Sequence, residues 1–105
     1  MLLVLQFSVS NAEGPYDGEW IGSATSIGGR CKPARITLSV VGQVVTGQAR
    51  FESDTSNING TVWGDGTFGA TLGFQHLTGT FIRDGFEGTF KSSDCQWKVL
   101  LKRAK

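Results

Sequence analysis

The sequence predicts an all-β protein: a single eight-stranded antiparallel up-and-down β-barrel with one disulfide bond. Fifteen glycines stand against two prolines in a chain rich in Thr, Val, Ile and Phe, a composition typical of β-structure. Polar turns that contain glycine recur about every ten residues, and the segments between them alternate between apolar and polar side chains. With 105 residues, the chain is long enough for one domain.

The first half of the chain contains four predicted strands. Their bounds are 17–26, 34–41, 44–52 and 57–63. The second strand shows the alternation best, because Ile36, Leu38 and Val40 fall on one face and polar residues fall on the other. A glycine-containing loop with Cys31 separates the first two strands, and Gly42–Gln43 forms the next turn.

The second half contains four more predicted strands. Their bounds are 67–74, 76–82, 86–92 and 95–103. Asp65–Gly66 is a strong hairpin signal before the fifth strand, and Asp84–Gly85 predicts another hairpin before the seventh. Gln75 marks a short turn between the fifth and sixth strands. No segment requires a helix.

Closure of this meander into a barrel is predicted because an open sheet would expose two unpaired edges. In a closed barrel the first strand lies antiparallel to the last. Cys31 follows the first strand and Cys95 opens the last, so the two cysteines are expected to meet at the seam. A disulfide that closes a loop of this length would stabilise the fold by about 4 kcal/mol.

The inward faces of the strands carry small residues at mid-strand. Apart from the second strand, the predicted inward residues are Trp20, Gly22 and Ala24; Val45, Gly47, Ala49 and Phe51; Ile58, Gly60 and Val62; Phe68, Ala70 and Leu72; Leu77, Gly79 and Phe81; Phe86, Gly88 and Phe90; and Trp97, Val99 and Leu101. An eight-stranded barrel has an interior just wide enough for side chains. We therefore expect the small residues to let large rings cross the barrel axis, which leaves no ligand cavity.

The sequence contains no set of residues that predicts catalysis, a cofactor or a metal. The Gly-x-Gly-x-x-Gly match at 64–69 precedes a predicted strand, whereas dinucleotide binding needs a helix there. His76 is the single histidine, and two thiols with one histidine fall short of a four-ligand zinc site. A net charge of +1 gives no electrostatic case for nucleic acid or for an anionic membrane surface. We therefore expect a protein that is not an enzyme.

The first twelve residues differ from the rest of the chain. Leu2 to Val9 is an apolar run, and Ser10–Asn11–Ala12 fits a signal-peptidase site. We interpret 1–12 as the remnant of a cleaved signal peptide and 13–105 as the barrel domain, in a secreted or periplasmic protein. The alternative is that the run forms a short strand of the mature fold. It is too short for a membrane span, which needs about 20 residues.

Two candidate binding surfaces follow from the alternation. Ile21, Trp63, Ile82 and Leu100 fall on the solvent side and form the candidate surface for a protein partner. The alternatives are that they are scattered surface residues, or that a bulge near residue 64 turns Trp63 inward. The second candidate is a ligand mouth formed by three aromatic residues, Trp20, Phe74 and Phe90.

Gly18–Glu19–Trp20 resembles the Gly-x-Trp signature in the first strand of lipocalins, of avidins and of periplasmic inhibitors of bacterial metalloproteases. The resemblance implies an eight-stranded meander barrel, and the length is closest to that of the inhibitors. Those proteins carry one disulfide and insert a short N-terminal tail into the protease cleft. Glu13–Gly14–Pro15 would be the corresponding tail. Cys31 and Cys95 lie farther apart in sequence than the inhibitors' cysteines.

These observations predict an exported, non-enzymatic binding module that recognises a protein partner, with an inhibitor-like role as the sharpest version. One alternative is a lipocalin-like carrier of a small apolar ligand. The other is a structural module of an envelope assembly.

Overall fold

The computed structural model describes residues 14–28 and 31–104, which form one closed antiparallel barrel with the strands in chain order. The strands are β1 Gly18–Ser26, β2 Ala34–Val41, β3 Val44–Arg50, β4 Thr55–Val62, β5 Thr67–Leu72, β6 Gln75–Ile82, β7 Gly85–Lys91 and β8 Gln96–Ala104. The predicted fold class is confirmed. The predicted signal-peptide remnant, 1–12, and Glu13 of the predicted tail lie outside the described residues. Among those that are described, no helix has the length and hydrophobicity that a bilayer crossing needs.

β3 and β5 each end two residues earlier than predicted because turns take these residues, and most other strand ends shift by one or two residues. The backbone N–H of Phe51 donates to the carbonyl of Asp54, which ends β3 at Arg50. Gly73 has a φ of 63° and begins the turn after β5. The β6–β7 turn consists of 83–84, so Gly85 is the first residue of β7 and not a turn residue as predicted.

The seam between β1 and β8 closes the barrel. The register runs from Glu19 opposite Ala104 to Ser26 opposite Trp97. The predicted disulfide between Cys31 and Cys95 is present just beyond this ladder, with the two Cα atoms 6.2 Å apart. We call this end of the barrel the disulfide end, and the opposite end, where β1 begins, the Trp20 end.

Aromatic rings fill the barrel interior. At the Trp20 end, the Phe81 ring lies 4.8 Å from both the Trp20 and the Phe86 rings, measured between centroids. At the disulfide end, the Phe90 and Trp97 rings are 5.0 Å apart. No polar side chain is buried in the described part of the chain. The predicted inward side chains are therefore the core; Phe51 and Leu72 are only partly buried.

Each end of the barrel is closed by a tryptophan that donates a hydrogen bond to a loop at that end. The indole N–H of Trp20 donates to the carbonyl of Tyr16 at 3.0 Å, and the Tyr16 ring packs on Phe81. The indole N–H of Trp97 donates to the carbonyl of Lys32 at 2.8 Å. Buried Trp N–H groups need such partners. These bonds fix the two loops over the core.

The inward glycines permit close backbone approach between strands. A Cβ atom added to Gly22 would lie 2.7 Å from the Cα of Leu101 on β8. One added to Gly79 would lie 2.7 Å from the Cα of Gly88 on β7. Real Cβ atoms do not approach backbone this closely, so a side chain at these positions would push the strands apart. The small residues predicted at mid-strand therefore lie where neighbouring backbones approach closely.

Replacing Gly22 with Ala should destabilise the barrel, because the new methyl group would collide with the β8 backbone at the seam. We expect the free energy of unfolding to fall by about 1–3 kcal/mol, the usual range for overpacking. Denaturant unfolding measures it. Gly69→Ala is the matched control, since nothing lies within 4 Å of an added Cβ there; it should be neutral or stabilising by about 0.5 kcal/mol. Equal effects of the two substitutions would contradict this account of the seam.

Candidate functional site

An apolar groove of about 700 Å³ crosses the outer wall of the barrel over β6, β7, β8 and β1. One row of outward positions runs through it: Ile82 opposite Gly85, Gly85 opposite Lys102, and Lys102 opposite Ile21. Because Gly85 has no side chain, it leaves a gap in the middle of this row. Leu100 lies one rung towards the disulfide end and lines the same groove. We call these five residues the outer groove.

Three of the four residues predicted as a partner surface are brought together here. Ile21, Ile82 and Leu100 are 42%, 52% and 49% exposed, although all three are large and apolar. They come from three different strands, and closure of the seam is what places Ile21 beside Leu100. A contiguous exposed apolar surface of this kind marks a binding site more often than scattered residues do.

Two charged residues, Glu87 and Lys102, line the outer groove at diagonal positions on adjacent strands. Glu87 lies opposite Leu100 on β7, and Lys102 belongs to β8. Neither side chain forms an ion pair within residues 14–28 and 31–104. Asp84, at the end of the groove, forms an ion pair of 3.5 Å with Arg103. The outer groove therefore combines exposed apolar side chains with one acidic and one basic side chain that lack an ion-pair partner among the described residues.

Arg103 holds the Trp20 end of the groove in place. Its guanidinium donates hydrogen bonds to three backbone carbonyls, those of Asp17 at 2.6 Å, Arg83 at 3.0 Å and Pro15 at 3.2 Å. Its central carbon lies 4.5 Å from the centroid of the Trp20 ring, a cation–π distance. One side chain thus links the segment before β1 to the β6–β7 turn across the seam.

Trp63 does not belong to the outer groove. It lies in the turn after β4, is 51% exposed, and lines a separate small cleft with Gly42 and Pro15. No bulge turns it inward. The next residue but one, Asp65, caps this turn: hydrogen bonds from the Thr67 backbone N–H and hydroxyl lower the pKa of its carboxyl. A lowered pKa is the opposite of what a general acid needs.

The three aromatic residues of the candidate ligand mouth do not come together. Trp20 and Phe90 are fully buried, near opposite ends of the barrel. Phe74 is 92% exposed at the tip of the β5–β6 turn. The surface opening nearest to a mouth is a more polar cleft of about 440 Å³ at the disulfide end, where Phe51 and Trp97 are among the lining residues.

Sequence reasoning missed the central residue of the outer groove. Gly85 follows Asp84, and this pair is the usual signature of a hairpin turn. The signal that identifies it as a strand residue is the phase of the strand that follows. Phe86 and Phe90 point inward, so the residue before Phe86 must point outward.

The described residues contain no group of three or more His, Cys, Asp or Glu side chains that could hold a metal ion. His76 is exposed on β6. Comparisons with protein-family models, with curated proteins and with solved structures find no match to this chain.

Replacing Arg103 with Lys should destabilise the protein, because an ammonium group cannot reach three carbonyls and stack on Trp20 at once. We expect a loss of about 2–3 kcal/mol in the free energy of unfolding. Urea denaturation followed by tryptophan fluorescence measures it. Arg83→Lys is the control: the Arg83 side chain donates no hydrogen bond among the described residues, so the change should stay within about 0.5 kcal/mol. A loss below about 0.5 kcal/mol for Arg103→Lys would contradict the role assigned to this residue.

Proposed function

We propose that this protein is an exported, non-enzymatic binding module and that its outer groove holds an apolar side chain of a protein partner. The observation that carries the proposal is the gap at Gly85 between Ile82 and Lys102, in a groove that also contains the exposed side chains of Ile21 and Leu100. Apolar groups in such a depression lose contact with water when a partner's side chain enters it.

A protein partner is favoured over a small ligand held inside the barrel. The interior is occupied by aromatic rings in mutual contact, and a tryptophan closes each end. A ligand inside would have to displace core side chains, at a cost comparable to the cavity energies of a packed core. The outer groove, by contrast, is accessible without rearrangement.

The charges of Glu87 and Lys102 indicate which charged residues a partner segment should carry. Glu87 favours a basic residue of the partner, and Lys102 favours an acidic one. The occupant that fits is therefore a segment with a central Leu, Ile, Met or Phe and flanking residues of opposite charge. Exposed pairs of this kind add little affinity but orient the segment.

Export is supported by the disulfide between Cys31 and Cys95, since such bonds persist in oxidising compartments. The inhibitor-like version of the proposal needs a free N-terminal tail. The carbonyl of Gly14 accepts from the Asp17 N–H and that of Pro15 accepts from Arg103, so these two residues form part of the barrel end. A signal peptide cleaved after residue 12 would leave Glu13 alone ahead of these two residues, so the hydrogen bonds of Gly14 and Pro15 count against an inserting tail.

A lipocalin-like carrier is the second candidate, and the cleft at the disulfide end is the observation that favours it. Phe51 and Trp97 offer apolar surface there, among polar residues. A ligand bound in this cleft would change the fluorescence of Trp97, and Phe51→Ala would remove that response.

Filling the outer groove should abolish partner binding without unfolding the protein. In Gly85→Leu, the nearest atom to the added Cβ is the Leu101 carbonyl oxygen at an ordinary 3.7 Å, so the backbone can keep its course. The new side chain occupies the space reserved for the partner, and affinity should fall at least about tenfold, as expected for losing one buried apolar side chain. The partner is first identified by photo-crosslinking from position 100 in the native source; its affinity is then measured by calorimetry.

Gly69→Leu is the matched control, because Gly69 also faces outward but lies on β5, away from the groove. It should bind the partner like the unchanged protein. Both variants should unfold at nearly the same temperature as the parent. If Gly85→Leu binds normally, or if the two variants lose affinity equally, the outer groove is not the binding site.

A further inference from the structure

Two arginines face each other on the outer wall near the disulfide end. Arg35 on β2 lies directly opposite Arg50 on β3. Their other neighbours in register, Ser23 on β1 and Thr55 on β4, are uncharged. Like charges directly opposite in a strand pair are destabilising. The repulsion between Arg35 and Arg50 therefore destabilises the fold, and no acidic residue lies beside them in register to offset it.

Another cation next to β2 and β3 does have an acidic partner. Just beyond the strand ends, Lys32 and Glu52 form an ion pair of 2.9 Å. Neither Arg35 nor Arg50 takes part in an ion pair or a side-chain hydrogen bond within the described ranges 14–28 and 31–104. The two guanidinium groups are therefore free to bind something else.

A small cleft of about 80 Å³ lies between them, lined by Arg35, Thr37, Gln48 and Arg50. All four side chains carry hydrogen-bond donors: two guanidinium groups, a hydroxyl and an amide. Water occupies about 30 Å³ per molecule in the liquid, so the cleft has room for a few waters or for one small polyatomic ion. Its lining contains no carboxylate to repel an anion.

We propose that this cleft is a binding site for one oxyanion group, a carboxylate, phosphate or sulfate. Guanidinium groups bind such oxygens with paired, charge-assisted hydrogen bonds, and two guanidinium groups on facing strands can hold one anion between them. A bound anion would also offset the repulsion between Arg35 and Arg50. The site does not depend on the outer groove, which lies on the far side of Ser23. The oxyanion that binds there would be a free ion or a carboxylate of a bound partner.

The test is an NMR titration of the full chain with sodium phosphate, sodium sulfate and sodium acetate, each against sodium chloride at equal ionic strength. We expect saturable shifts of the Arg35 and Arg50 side-chain Nε–H signals and of the Gln48 side-chain amide. The dissociation constant should be about 30–100 mM, because two exposed ion pairs contribute at most about 2 kcal/mol. Tighter binding of acetate would point to a partner's carboxylate, and tighter binding of phosphate or sulfate to a free tetrahedral ion.

Arg35→Gln and Arg50→Gln should each weaken the anion about fivefold, and the double variant should abolish saturable binding. Arg83→Gln removes the same charge at the β6–β7 turn and should leave the dissociation constant unchanged. Shifts no larger than those caused by chloride, or an equal loss in Arg83→Gln, would overturn the proposal.

A melting experiment gives an independent reading. Phosphate, sulfate or acetate should raise the melting temperature of the parent more than chloride does, and this difference should vanish in Arg50→Gln. Arg50→Gln should also melt at a higher temperature than the parent in low salt, because the like-charge pair is gone. If it melts lower, Arg35 and Arg50 do not repel each other and the argument from their pairing fails.

Discussion

Close backbone approach between β1 and β8 is the constraint on which the rest of this structure depends. The two strands can lie together along the seam only because Gly22 presents no side chain to the β8 backbone. Closure there removes the last sheet edges, brings Cys31 within bonding distance of Cys95, and gives the barrel its small cross-section. A narrow barrel leaves an interior that its own rings fill. A binding surface on this protein must therefore lie on the ends or on the outer wall.

Glycine has two opposite uses in this molecule, and the side of the sheet decides which. Inside, Gly79 and Gly88 face each other and allow strands and rings to approach. Outside, Gly85 makes a gap between large apolar side chains, and that gap is the centre of the outer groove. Arg103 connects the barrel end with the outer groove. Its guanidinium covers Trp20 and also donates to the Arg83 carbonyl in the turn that precedes β7. The groove is thus held by the same contacts that close the barrel.

Much of this could be predicted from the sequence, because alternation and turn signals are local. The strands, the inward residues and the disulfide at the seam follow from them. The turn at Gly42–Gln43 also sets the register of β2 and β3. Counting residue pairs back from this turn places Arg35 opposite Arg50. What failed depended on where the strands begin and end, which alternation alone does not fix. Trp63 satisfies the same alternation as Ile82 but lies beyond the end of β4, and one residue decides whether Gly85 belongs to a turn or to a strand.

The central claim is that the barrel interior is full and that binding is external. Native mass spectrometry of the protein isolated from its own source, with the disulfide intact, tests this most directly, with Gly85→Leu measured beside it. The account predicts either the bare chain or a complex with a protein, and that complex should be lost in Gly85→Leu. A stoichiometric small apolar molecule retained by both proteins would contradict it, because such a ligand would lie in the barrel interior or in the cleft at the disulfide end and not in the outer groove.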